Sequence, residues 1–103
     1  MTTSPVLHVL GAADWAEARR AGAVGRDGAP FLHLCTPEQL PSVVGRFFPG
    51  VADLVAVELD AGRPGVVFER GDPPLPERPD EQFPHLYADL PVGWVTAVHP
   101  LVG

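Results

Sequence analysis

No stretch of this chain runs far without a proline or a glycine, which restricts it to short elements joined by sharp turns. The 103 residues include 13 prolines and 11 glycines. Proline removes a backbone donor and fixes φ, so it stops helices and is confined to the edges and bulges of sheets. One segment escapes the punctuation. Residues 54–59, Leu-Val-Ala-Val-Glu-Leu, are almost uninterruptedly apolar. Such a run does not alternate between core and solvent, so it predicts a central strand covered on both faces.

The other elements are shorter. Residues 6–10 read as a strand with His8 at its centre. Residues 14–21 read as a helix, with Asp14 at its positive end, Arg19 and Arg20 at its negative end and Gly22 to stop it. Trp15 and Ala18 would face the core, and residues 22–30 form a loop. Residues 31–35 read as a second strand, on which Phe31, His33 and Cys35 share one face and Leu32 and Leu34 the other. Thr36-Pro37-Glu38-Gln39 is a capping box with proline at the first helical position. Leu40, Val43, Val44 and Phe47 then follow at helical spacing, with Pro41 as an early kink and Pro49-Gly50 as a stop. Residues 66–69, the extended segment 83–87 and residues 95–101 complete the strands. Between them, residues 71–82 hold five charged side chains and four prolines. That stretch is expected to be an exposed, mobile loop that does not pack, flanking any site because Glu69 and His85 bracket it. Strand, helix, strand, helix, then strands predicts a single α+β domain over residues 1–103, with small mixed or antiparallel sheets and two helices.

Composition narrows the function. An apolar fraction of 46% supplies an ordinary core. The net charge is -6, and the 7 basic residues are all arginine. A surface of that sign repels phosphate backbones and anionic lipid, so nucleic acid and membrane are not expected partners. No run approaches the 18 or so apolar residues of a membrane span. Residues 1–5 have neither the basic nor the apolar part of a secretory leader. The single cysteine, Cys35, excludes an internal disulfide and a thiolate metal cluster. A reducing, cytoplasmic location is the expectation.

No phosphate-binding glycine loop, nucleophile elbow or zinc-protease helix is present. What remains is histidine in unusual places. His8 and His33 each sit inside a short apolar strand, and His85 in an aromatic segment. Each alone reads as a satisfied structural residue; together they predict one shared cleft for a small molecule. His99, before Pro100, reads as structural. Cys35 and His33 could form a nucleophile and base, but i,i+2 neighbours on a strand point in parallel and seldom meet. Three imidazoles also suit zinc, which leaves a metal site open. Glu69 ends an apolar strand near the same cleft, and Tyr87 belongs either to it or to the core.

The pieces Leu7-His8-Val9, Trp15, residues 31–36, Glu38-Gln39, Arg46-Phe47-Phe48, residues 54–60, Phe68-Glu69 and residues 83–87 carry a resemblance. Over nearly its full length the chain resembles the small bacterial domain-of-unknown-function family numbered 952. It departs mildly at Thr36, where the family usually has serine, and at Ala88, where it usually has glycine. The layout is similar to the ADP-ribosyltransferase fold, especially its RNA 2′-phosphotransferases, in which NAD lies in a slit between two small sheets. The resemblance implies His8 against the NAD ribose and His33 beside the nicotinamide end. It also implies Tyr87 or Phe31 stacked on nicotinamide, and Glu69 or His85 acting on the charge at the ribose carbon or on the nucleophile. The arginines of the phosphotransferases have no match here, and Glu69 is the nearest counterpart of the toxin-like members' late glutamate. The expectations are an NAD-using transferase or hydrolase, a non-catalytic small-molecule-binding module, or a histidine metal-binding protein.

Overall fold

The computed structural model describes residues 4–101, so residues 1–3 of the N-terminal stretch lie outside it. Leu54–Asp60 forms β4, the middle of a three-stranded antiparallel sheet between β1 (Pro5–Gly11) and β8 (Ala97–Leu101). Its apolar run behaves as expected for a strand buried on both faces. Val55, Val57 and Leu59 enter one core with Val6, Leu10, Trp15 and Leu86. Leu54 and Ala56 enter a second core with Leu7, Val9, Cys35, Leu75 and Phe83.

A second three-stranded antiparallel sheet is ordered β3 (Leu32–His33), β6 (Gln82–Leu86) and β5 (Val66–Arg70). Two-residue strands, β2 (Ala23–Val24) and β7 (Leu90–Pro91), pair separately, and a 3-10 turn at Val92–Trp94 precedes β8. The fold is thus α+β with antiparallel sheets and two helices. The three-stranded sheets meet at one point. Leu7 N–H donates to the Cys35 carbonyl at 2.7 Å, and Cys35 N–H returns to the Leu7 carbonyl at 2.8 Å. This contact explains why the expected strand over 31–35 is shorter than predicted. Leu34 still bonds to the Pro84 carbonyl, but Cys35 has turned to β1.

Helix α1 spans Ala12–Ala21, two residues earlier than expected. It buries Trp15 and Ala18 as read, and it ends at Gly22, whose φ of 94° is the left-handed conformation that glycine adopts freely. Helix α2 spans Leu40–Phe47, so it begins later than the capping box implied. The box itself is formed. Thr36 N–H donates to Gln39 Oε1 at 3.0 Å, and Gln39 N–H donates to Thr36 Oγ1 at 3.3 Å. The helix starts later because Pro41 has no N–H to give to Pro37, and Leu40 N–H bonds to the Pro37 carbonyl in a tighter turn instead. Thr36→Ala is expected to destabilise the protein by about 1 kcal/mol through the lost reciprocal bond. An unchanged melting temperature would remove the capping argument.

The segment 71–82 also departs from expectation. Most of it is exposed, but Leu75 is fully buried in the second core. A single leucine is sufficient to anchor a loop whose neighbours are prolines and charges.

Candidate functional site

Antiparallel register sets the first layer of the site. Residues directly opposite each other on paired strands project to the same face, and diagonal neighbours are still within reach of long side chains. His33 lies opposite His85, and Val67 lies opposite His85 from the other side. Phe31 and Tyr87, two residues along from His33 and His85, share that face, and Glu69 is the diagonal neighbour of His85. The Phe31 ring stacks on the His85 ring at 4.0 Å between centroids and 20° between planes. It lies 4.9 Å from the His33 ring and 5.3 Å from Tyr87, while His33 and His85 are 5.7 Å apart edge to face.

A cavity of about 290 Å³ lies where this face meets β1. His8, His33 and His85 all line it, together with the apolar side chains of Leu7, Val9, Leu34, Val43, Phe47, Phe48 and Phe83. Gly71, Asp72 and Pro73 close one side, which places the start of the 71–82 loop at the cavity as expected. Phe31, Glu69 and Tyr87 do not line it. Phe31 stacks on His85, Glu69 bonds it, and Tyr87 bonds Glu69.

Each histidine has one ring nitrogen committed. His8 Nδ1 donates to the His33 carbonyl at 2.8 Å, and His33 Nε2 donates to the Asp72 carbonyl at 2.7 Å. His85 Nδ1 lies 2.7 Å from Glu69 Oε2. The Tyr87 hydroxyl donates to that same carboxylate oxygen. These two bonds, Tyr87 first and His85 second, hold the Glu69 carboxyl below its ordinary range, so it is ionised and accepts. The same contact pushes the Tyr87 phenol up, so Tyr87 keeps its proton. Burial lowers His8 below the ordinary histidine value, opposed by its bond to the His33 carbonyl. His8 is therefore neutral at pH 7.

Cys35 also lines the cavity, but burial pushes its thiol up to about 12. A thiol so reluctant to ionise is a poor nucleophile, and the Cys35–His33 pair is set aside. The metal site is corrected as well. Among the described residues no three His, Cys, Asp or Glu side chains converge to hold a metal ion. Each imidazole is bonded to a different acceptor: the His33 carbonyl, the Asp72 carbonyl and the Glu69 carboxylate. His99 bonds Glu58 Oε1 at 2.9 Å on the far sheet and takes no part.

The apolar half of the wall was missed in the sequence. The helical spacing of Val43 and Phe47 gives no sign of a cavity, yet both border it, and Phe47 is 41% exposed. Gly71 was read as loop; a side chain there would meet the Phe83 ring at 3.0 Å, so the bare backbone is what lets the loop close against the wall.

Among the described residues no helix is long and apolar enough to cross a membrane. No curated protein matches the chain. Three solved structures of one protein, CC0527 from Caulobacter crescentus, are similar over nearly the whole chain. Its crystal structure superposes with a TM-score of 0.82 at 27% identity, covering 96% of this chain and 87% of that one. A double-mutant crystal structure gives 0.81 at 27% identity, with the same coverage. The solution NMR structure gives 0.77 at 28%, covering 94% and 84%. The sequence profile described as "Protein of unknown function (DUF952)" matches residues 9–98, and the chain belongs to that family.

Proposed function

We propose that the cavity binds the nicotinamide end of NAD, and that the chain is an ADP-ribosyltransferase-like transferase or hydrolase. The observation that carries this reading is three histidines from separate strands on the wall of one apolar cavity, each with its ring orientation fixed by a carbonyl or a carboxylate. The slit between two small sheets supports it too. A volume of about 290 Å³ sits at the lower end of ligand pockets and suits one ring with part of a sugar rather than a whole dinucleotide. NAD is the substrate here, and it supplies a ribose carbon whose bond to nicotinamide is the one that breaks.

This chain's residues would then act as follows. His8 and His33 orient the bound end by hydrogen bonds in a water-poor site, where position is worth most. His85 Nε2 takes the proton of the attacking water or hydroxyl. Ionised Glu69 holds the Nδ1–H and steadies the charge that the ring gains. Glu69 is a positioning residue, since it reaches the cavity only through His85. Tyr87 and Phe31 keep the Glu69–His85 pair in place.

A binding module without turnover is the second reading, favoured by a lining that contains no arginine or lysine for a pyrophosphate. Calorimetry and a nicotinamide-release assay separate the two. His33 is exposed, so His33→Ala is expected to weaken NAD binding about tenfold, the equivalent of roughly one hydrogen bond, while leaving thermal unfolding unchanged. Wild-type protein that shows no NAD binding at millimolar concentration and releases no nicotinamide would overturn the enzyme reading. Binding without release assigns the module.

A further inference from the structure

The proposed site has a second property, which follows from where its protons are. His8 Nδ1 faces a carbonyl oxygen, which has no proton to give, so the nitrogen must carry the hydrogen. A neutral imidazole has only one N–H, so His8 Nε2 bears a lone pair. His85 has the same arrangement, with Nδ1 facing the Glu69 carboxylate, so in the neutral ring its hydrogen also sits on Nδ1 and its Nε2 bears the lone pair. Among the described residues neither Nε2 has a partner, and no buried side-chain nitrogen or oxygen lacks one. Both Nε2 atoms therefore reach open space, and the space their rings line is the cavity. The third ring is committed in the opposite sense, with its Nε2–H on the Asp72 carbonyl.

Every imidazole N–H on this wall is thus spent on the protein. The remaining charged side chain in the lining is Asp72, which is acidic. An anion entering the cavity would lose its water and meet lone pairs in return, with an acidic residue at the rim, a costly exchange for a small pocket. A ligand carrying N–H or O–H groups, or a ring with positive charge, meets acceptors. We infer that this cavity selects uncharged or cationic ligands that donate hydrogen bonds, and rejects a carboxylate or phosphate of the same shape. The inference rests on the nicotinamide reading for the choice of probe: a carboxamide has the donor, and the isosteric carboxylate lacks it.

Wild-type protein at pH 8 is titrated with nicotinamide and with nicotinate, by calorimetry and by chemical shifts of the cavity residues. Long-range nitrogen–proton NMR on the same sample reads the tautomer of each ring. The expected result is nicotinamide binding at least about tenfold tighter than nicotinate, a difference of about 1.4 kcal/mol. The rings should show Nδ1–H on His8 and His85 and Nε2–H on His33. Equal or tighter binding of nicotinate, binding of neither probe, or an Nε2–H on His8 or His85 would each overturn the inference. NAD itself is scored separately. Amide preference without NAD binding keeps this inference and removes the nicotinamide-nucleotide reading, whereas NAD binding without amide preference does the reverse.

Discussion

Leu75→Ala is expected to lower the stability of the protein by about 3 kcal/mol, and the melting temperature by about 12 °C or more. Few residues in a segment of prolines and charges would have so large an effect. Leu75 is fully buried in the core that also holds Leu7, Val9, Cys35 and Phe83. Its removal leaves a cavity where close packing had been, and the loop has no second apolar side chain to fill it. Arg78 N–H bonds to the Leu75 carbonyl at 3.0 Å, and Arg78 in turn pairs with Glu81 and bonds Ser42 on α2. Those surface contacts contribute little by themselves. Loss of the anchor should therefore release Gly71, Asp72 and Pro73 from the cavity wall, and ligand affinity should fall with stability. Thermal unfolding checks the first effect, and proteolysis within residues 71–82 checks the second. A variant that melts within 2 °C of wild type (about 0.5 kcal/mol or less) would show that the loop is held by its polar contacts.

His85→Ala is the second large effect, expected at about 2–4 kcal/mol. The ring is 2% exposed and loses three things at once: its burial, its stack on Phe31 and its bond to Glu69. Aromatic stacking of this kind contributes about 0.5–1.5 kcal/mol beyond burial. Glu69 itself is half-exposed and can turn to water, so its release adds little. His85→Phe separates the terms. A phenyl ring keeps the stack and most of the packing, so it should recover more than half of the lost stability. It has no Nε2, so nicotinamide binding should fall as far as in the alanine variant. Recovery of both properties in the phenylalanine variant would mean that His85 is a packing residue alone.

These outcomes bear on what was readable in the sequence. The strand around His8, the helix carrying Trp15 and the central strand at residues 54–59 were all legible, because their apolar patterns extend over several residues and nothing local competes. The capping box was legible as chemistry but not as a helix boundary, because Pro41 acts two residues into the helix and delays its start. The two-residue strands at Ala23–Val24 and Leu90–Pro91 carry no periodic signal to read. Leu75 looked like an isolated apolar residue in a loop, and only tertiary packing distinguishes an anchor from an accident. The site divides in the same way. Imidazoles within apolar strands stood out at once. That Glu69 bonds His85 and is absent from the cavity lining depends on the diagonal register of β5 on β6, which no local pattern encodes. Phe47 and Val43 follow the spacing of a buried helix face, so their place at the cavity was hidden by an ordinary amphipathic pattern.

The Leu7–Cys35 contact is a seam, and the cavity beside it is shared between segments far apart in the chain. Its wall draws on β1, on β3 and the stretch after it, on α2, on the loop after β5 and on β6, so no fragment that lacks one of these has the complete cavity. A ligand held there engages only the fully assembled protein. By mass action, a compound present at a hundred times its dissociation constant raises the stability of such a protein by about 2.7 kcal/mol. Melting temperature thus doubles as a ligand detector for this chain, sensitive to any occupant and indifferent to what the occupant's chemistry turns out to be.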